Sequence, residues 1–413
     1  MSKGTRMAWE NQVCESSNAA LEDILRQGAR QMLQKAIEAE VADYIEANKD
    51  VVDEGTGRRM VVRNGRLPGR EIQSGLGPIP ISQPRVNDRR EGMKFTSSIL
   101  PPYMRRVPSI EALISVLYLK GVSTSDFPEA LKAILGEKAA GLSASTIVRL
   151  KEVWQAEYEA WARRDLSARQ YVYFWVDGIY FNVRLSDDRP GLLVVMGATQ
   201  DGVKELVGLW DGERESKLSW LEFLRDLKRR GLQRGPALCV GDGALGFWAA
   251  LREVFPASRQ QRCWAHKTAN VLDNMPKKVQ PAAKRLLQEI YMAETLKAAL
   301  AAWDEFMARY GAKYPRACER LAKDKDVLFT FYDFPAEHWI HLRTTNPIES
   351  TFATVRHRTR QTKGCGSRLA TLSMVFKLSL EAEKHWRKLN GSALLTKVIS
   401  GVRFQDGLEL KAA

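Results

Sequence analysis

Three acidic side chains occupy three different settings in this chain: Asp177 inside the strand-like run YVYFWVDGIYFNVR, Asp242 at the end of PALCVGDGAL, and Glu349 near the start of TTNPIESTFATVRHR. Carboxylates drawn from separate elements suit two-cation phosphoryl transfer, in which ions about 3.5–4 Å apart sit beside the attacking and the leaving oxygen. An all-oxygen donor set suits two Mg²⁺ ions, or Mn²⁺ in their place.

Each acid also has an ordinary structural reading. Asp177-Gly178 is a hairpin signal. An unpaired carboxylate in the middle of FWVDGIYF, however, is costly among buried strand residues unless it meets a cation, which favours the metal reading. Asp242 succeeds an apolar strand, either as a plain turn or at the carboxyl end where open α/β sheets place ligands. Glu349 comes after Thr344-Thr345-Asn346-Pro347, a cap and a proline, so it falls in the first turn of a helix. The helix dipole favours a negative charge there even without metal. The basic residues C-terminal to Glu349 sharpen the reading: Arg356 lies seven residues on, two turns along the same face, with Arg358, Arg360 and Lys363 beyond it. Glu349 can then hold metal while these basic residues hold a DNA phosphate. Asp187, Asp188, Asp201 and Asp211, near expected strand ends, are the substitutes for either aspartate.

Cys263-x-x-His266 and His338-x-x-His341 can be written as a four-ligand zinc site. One half lacks a cysteine, and the chain between the halves reads as independent helices, so this grouping is not expected. His266 is expected near the acids or on DNA, with simple packing of a lone histidine as the alternative. Cys263, His266, Arg343 and Asn346 are expected around the acids in a supporting role. There is no P-loop signature, so no ATP-driven step is expected.

Periodicity and punctuation define the elements that must position these groups. Residues 18–48 show apolar positions at three- and four-residue spacing, one long or two broken helices, within an N-terminal helical region 1–60. Residues 61–105 combine Gly/Pro punctuation, many arginines and alternating isoleucines, which predicts a short hairpin in a basic, mostly extended arm. Residues 106–165 carry three helices. Ser123 with Asp126 forms a capping box, Gly136 a stop and Ser143 the next cap. Ile147, Leu150 and Trp154 then face inward, while Ser145, Arg149 and Lys151 face out. That pattern resembles a helix-turn-helix, with Arg149 and Lys151 as DNA contacts, although any three-helix bundle shares the periodicity. In residues 166–266, three strands, a helix, a strand and a helix describe a mixed sheet with covered faces. This order matches the first part of a ribonuclease-H-like core. Residues 267–335 are too long for a loop and read as an inserted all-helical subdomain, and 336–413 complete the core. The expected fold class is α/β.

The 413-residue chain is 45% hydrophobic, enough for a real core, and its 63 Lys+Arg against 49 Asp+Glu give a net charge of +14. Such an excess favours a polyanionic partner, nucleic acid above all, because each neutralised phosphate releases condensed counterions. No apolar run reaches membrane-spanning length. The opening MSKGTRMAWENQ lacks the apolar stretch of a signal peptide. Five scattered cysteines (14, 239, 263, 318, 365) without CxxC pairs read as a reducing compartment. A cytoplasmic, nucleoid-associated location is expected.

VDGIYFNVR, CVGDGALGF, QRCWAHKTANVL and LRTTNPIESTFATVRHRT together resemble the Mutator-type transposases, specifically the bacterial insertion-sequence branch. The resemblance runs over most of the chain, and its most specific marks are the Cys-x-x-His after the second aspartate and the Asn-Pro-Ile-Glu at the third acid. It implies that Asp177, Asp242 and Glu349 are the catalytic DDE triad, that Cys263 and His266 are the family's C-x-x-H element, and that helices separate Asp242 from Glu349. The expected activity is metal-dependent cleavage of double-stranded DNA at terminal inverted repeats. The released 3′-hydroxyl then attacks target DNA, without a covalent protein–DNA intermediate. A copied, circular intermediate is expected of the bacterial members, and joining two ends suggests a homodimer. The rival readings are a ribonuclease-H-like nuclease without strand joining and a transposase-derived DNA-binding regulator.

Overall fold

A computed structural model describes residues 3–120, 122, 127–135, 144–180, 191–212, 216–243, 245–361 and 368–410. The chain divides into two compact units, residues 1–148 and 149–413.

In the first unit a single helix, α1 (Lys3–Ala47), precedes β1 (Val61–Arg66), β2 (Arg70–Ser74), β3 (Gly77–Ile81) and β4 (Pro84–Asp88). β2 and β3 form a tight antiparallel hairpin with Ser74 opposite Gly77, and β1 pairs antiparallel with β4. The segment expected as a short hairpin in a mostly extended arm thus holds that hairpin and, beyond the expectation, a second strand pair. Its alternating Ile72, Ile79 and Ile81 make one apolar face, and α1 covers that face with Leu33 and Ile37. Polar anchors complete the attachment. Tyr44 donates to Asp88 at 2.7 Å, and Arg90 bridges Asp88 Oδ2 and Asn48 Oδ1, each at 2.7 Å. Glu40 accepts from Ser97 and Ser98. The unit continues through α2 (Pro108–Lys120) and α3 (Phe127–Leu135) into α4 (Ala144–Ala162), which crosses the unit boundary. The expected caps at Ser123, Asp126, Gly136 and Ser143 lie outside the described residues, as do the side chains of Ser145 and Ile147.

The second unit is built on β5 (Tyr171–Tyr180), β6 (Gly191–Thr199), β7 (Lys204–Gly212), β8 (Leu238–Gly241) and β9 (Arg259–Arg262), with α5 (Lys217–Arg229) and α6 (Leu245–Val254) between them. The five strands lie in the order β7-β6-β5-β8-β9. β5, β6 and β7 are antiparallel neighbours, while β8 and β9 run parallel to β5. Alternation along β5 separates its faces. Phe174 and Val176 enter a core with Trp220, Phe223, Phe247 and Leu251 of α5 and α6. This layer approaches closely: a Cβ on Gly208 would stand 2.6 Å from the Phe223 ring. On the other face Tyr173 meets His338 Nδ1 at 2.7 Å, and Trp175 donates to the His341 carbonyl at 2.8 Å.

β9 has no sequence signal, because its residues are RQQR. Gln261 is wholly buried yet fully used. Its Nε2 donates to the carbonyls of Arg262 and Leu328, and its Oε1 accepts from Phe331 N. Satisfied hydrogen bonds thus stand in for apolar burial. Beyond β9 the chain is helical: α7 (Trp264–Leu272), α8 (Gln280–Met292), α9 (Leu296–Tyr310), α10 (Pro315–Ala322), α11 (Lys325–Leu328) and α12 (Trp339–Leu342). Then come α13 (Asn346–Gln361), α14 (Arg368–Glu383), α15 (Leu395–Ile399) and a terminal hairpin of β10 (Phe404–Gln405) and β11 (Leu408–Glu409). Within this unit α4 is anchored by packing. Trp154 is buried, Tyr158 donates to the Leu209 carbonyl, and Trp161 lies 5.0 Å from the Phe376 ring of α14. No described helix is long and apolar enough to cross a membrane.

Candidate active site

Asp177 stands near the end of β5, on the same alternating face as Tyr173 and Trp175, and Gly178 N–H donates to its Oδ1 at 2.9 Å. Asp242 comes directly after β8, the parallel neighbour of β5, so both strands deliver an acid at their carboxyl ends. The turn after Asp242 demands glycine. Gly243 has φ +91°, and a Cβ there would fall 1.0 Å from Arg262 Nη1. Cys263 directly follows β9, the third strand of this parallel group. Its N–H donates to the Gly241 carbonyl at 2.8 Å, and α7 starts from it, which places His266 in that helix's first turn.

α13 brings the third acid. The Thr345 carbonyl accepts from the N–H groups of Ile348 and Glu349, at 2.9 and 3.0 Å, so Thr345 opens the helix and Glu349 lies one turn on. The Thr345 hydroxyl donates to Glu349 Oε1 at 2.5 Å and also lies 3.2 Å from Cys263 Sγ and 3.4 Å from His266 Nδ1. The Thr345 N–H donates to Cys263 Sγ at 3.3 Å, and His266 Nδ1 is 3.6 Å from Glu349 Oε1. In the sequence Thr345 reads as part of a cap only. The signal for its second role is the four-residue interval from Thr345 to Glu349, which puts both side chains on one helix face.

The electrostatics join these residues. Burial, then the charge of Asp242, and more weakly that of Glu349, push the Asp177 carboxyl up to about 6, while His266 pulls the other way. The hydrogen bond to Cys263 raises His266 to about 9, against a desolvation penalty and with help from Glu349 and Asp242. Burial would raise the Cys263 thiol, but hydrogen bonds from His266 and Thr345 outweigh it and leave the group below its ordinary value. Cys263 and His266 thus each favour the charged form of the other. Cys263, His266 and Glu349 also offer ligand atoms within 4.8 Å of one another.

The other expected residues take more varied places. Arg343 supports α7 through its carbonyl, which accepts from Trp264 N–H at 2.8 Å. Its guanidinium lies over the Phe331 and Trp339 rings, at 5.0 and 5.2 Å. Asn346 is exposed at the start of α13. Arg149 is exposed and Lys151 half-buried on α4. Arg356, Arg358 and Arg360 lie in α13 with side chains outside the described set, and Lys363, Asp187 and Asp188 lie outside the described residues. Among the substitute acids, Asp201 is exposed in the turn after β6, and Asp211 is paired with Arg368. The histidines of the four-ligand zinc grouping are engaged elsewhere: His338 between Tyr173 and the Gly391 carbonyl, and His341 with Asn390 N–H.

A five-stranded mixed α/β unit with acids at the ends of adjacent parallel strands belongs to a broad class of enzymes that place their chemistry at strand ends. Within that class, the family profile "Transposase, Mutator family" matches residues 2–389, and the chain belongs to this family of DNA-acting enzymes. It is 55% identical over 295 residues to the transposase for insertion sequence element IS6120 of Mycolicibacterium smegmatis, covering 71% of this chain and 91% of that one. It is 51% identical over 287 residues to the transposase for IST2 of Acidithiobacillus ferrooxidans, covering 68% and 95%. The transposase for IS1081 of Mycobacterium tuberculosis is 28% identical over 387 residues, 91% of each chain. A chain of the simian T-cell lymphotropic virus intasome in complex with PP2A regulatory subunit B56 gamma aligns over 51% of this chain and 64% of that one at 13% identity. Its TM-score of 0.18 carries no argument.

Proposed function

We propose that this transposase is a DDE-type polynucleotidyl transferase whose acids are Asp177, Asp242 and Glu349, acting at the terminal inverted repeats of its element. The observation that carries the reading is the coupling of these three carboxylates. Asp177 is held protonated to about 6 by burial and by the charges of the other two, although they come from β5, the end of β8 and α13. Burial and the neighbouring acidic charges disfavour the ionised form of Asp177, and this fits Mg²⁺ or Mn²⁺ as partners. When bound, two such cations would supply Lewis acidity and charge neutralisation at a scissile phosphate. Asp177 and Asp242 would hold them from the sheet and Glu349 from the helix.

The strand order, three antiparallel strands and then two parallel ones, supports a ribonuclease-H-like core, with the helices of residues 267–335 as its insertion. The finer division makes residues 1–60 an N-terminal helical region, 61–105 a basic hairpin arm, 106–165 the helix-turn-helix-like DNA-binding region, and 166–266 with 336–413 the core. Exposed Arg149 is a backbone contact, joined by Lys151 and by the basic run of α13. A homodimer would hold the two ends of the element together, in a nucleoid-associated setting.

The test is nicking and strand joining on DNA carrying the gene's own flanking ends, with Mg²⁺ or Mn²⁺. The reading requires metal-dependent cleavage at the element boundary that disappears in Asp177→Ala while DNA binding persists. Cleavage without joining would favour the plain nuclease. Binding without cleavage in either protein would favour the regulator.

A further inference from the structure

We propose that Thr345 is a positioning residue whose hydroxyl ties Glu349 to the Cys263–His266 pair, so that the Cys-x-x-His element orients the third acid and does not itself bind metal. The proposal rests on the reading of Glu349 as a catalytic carboxylate.

Thr345 and Cys263 are both 0% exposed, so their partners are protein groups. A threonine hydroxyl has one hydrogen to give and two lone pairs. Three groups compete for it: Glu349 Oε1 at 2.5 Å, Cys263 Sγ at 3.2 Å and His266 Nδ1 at 3.4 Å. Cys263 is already served by the Thr345 N–H at 3.3 Å and by His266. His266 Nδ1 is the most distant of the three. The one hydroxyl hydrogen is left for Glu349, which is also the shortest contact. The bonds then run in one direction: His266 and the Thr345 N–H donate to sulfur, and the Thr345 hydroxyl donates to the carboxylate.

The spacing gives this arrangement its purpose. In a capping box, threonine and glutamate stand three residues apart, and each side chain serves a backbone N–H. Here the interval is four, and the threonine hydroxyl goes to the carboxylate. Glu349 Oε1 is thereby fixed, which leaves Oε2 as the oxygen to present toward Asp177 and Asp242. Cys263, whose N–H is bonded to the Gly241 carbonyl, sets the position of Thr345 relative to the strand that delivers Asp242. The network therefore sets the distance between an acid on the sheet and an acid on a helix.

The experiment compares Thr345→Val, Thr345→Ala and Thr345→Ser with wild type in the nicking assay across an Mg²⁺ titration, with melting curves of each protein. The two variants lacking the hydroxyl should lose about 10–100-fold in Mg²⁺ affinity or activity, the usual cost of losing a partner that orients a ligand. Thr345→Ser should restore most of that loss. Wild-type activity in Thr345→Val or Thr345→Ala, or a Thr345→Ser protein as impaired as they are, would overturn the proposal. Glu349→Gln in the same assay separates the two readings. If Glu349→Gln stays active, the catalytic assignment fails; if it is inactive while Thr345→Val is normal, only the positioning role fails. Adding Co²⁺ to the wild-type protein supplies an independent readout. No sulfur-to-cobalt charge-transfer band is expected, and a band lost in Cys263→Ser would make Cys263 a ligand and overturn the proposal.

Discussion

Asp177 shows how a single residue can oppose the fold that carries it. Its carboxyl titrates near 6 in the folded chain, against an ordinary value near 3.8. A raised acid contributes no penalty while protonated in both states. Stability is lost as pH climbs from the ordinary value through the folded one, and the cost is complete above it. In metal-free protein, Asp177→Asn should therefore match wild type at about pH 4 and exceed it by roughly 2–3 kcal/mol at about pH 8, read from urea or thermal melts. Mg²⁺ or Mn²⁺ should raise the wild-type melting temperature and leave that of Asp177→Asn unchanged. A wild-type protein as stable as Asp177→Asn at the higher pH would mean the carboxyl is not under this strain. The same residue marks how far the sequence was legible. An acid between buried strand residues is conspicuous because it breaks an apolar run. The Thr345 hydroxyl is not, because threonine at a helix start is explained by capping alone, and only the fold shows Cys263 and Glu349 converging on it.

At the scale of elements, legibility depended on chemistry in the same way. β5 announces itself by Val, Tyr, Phe and Trp, and β6 and β8 by Leu and Val, whereas β9 reads RQQR and is held by the Gln261 clamp that no propensity reveals. The β2–β3 hairpin carries its isoleucines openly in the sequence, but the helix residues that cover them, Leu33 and Ile37, are remote in the chain, and composition cannot specify that pairing. The turn joining β8 to α6 allows a sharp prediction. Gly243→Ala must abandon φ +91° and displace Arg262, so stability should fall by about 1–3 kcal/mol. Cleavage should fall further than stability explains, because Asp242 moves with the turn. Unchanged cleavage in Gly243→Ala would detach Asp242 from the site. In the first unit, Asp88 is held far below the usual carboxylate range by Arg90, despite a desolvation cost, and by Tyr44. A depressed acid contributes stability above its unfolded value, and that stability is lost as pH falls through the folded one. Asp88→Asn should speed amide exchange in β1 and β4 at neutral pH, with little change in β5–β8, and the difference from wild type should shrink in strong acid.

For the molecule as a whole, a net charge of +14 says more about partners than about folding. Cleavage and DNA engagement should therefore separate under salt and substitution. Each phosphate neutralised contributes about 0.9 to the fall of log affinity with log salt on duplex DNA. Binding of the element ends should consequently weaken steeply as salt rises, and the slope counts the contacts. In the proposed reading Asp177 holds metal and does not contact the phosphate backbone, so the slope of Asp177→Ala should equal that of wild type while its cleavage is lost. Arg149 is exposed on α4, whose Trp154, Tyr158 and Trp161 fasten the helix through other side chains. Arg149→Ala should then reduce the slope by about one unit, spare the melting temperature, and retain cleavage when protein saturates the DNA at low salt. A slope that does not change in Arg149→Ala would take this face of α4 off the DNA. A slope lowered in Asp177→Ala as well would mean that binding and chemistry share their contacts.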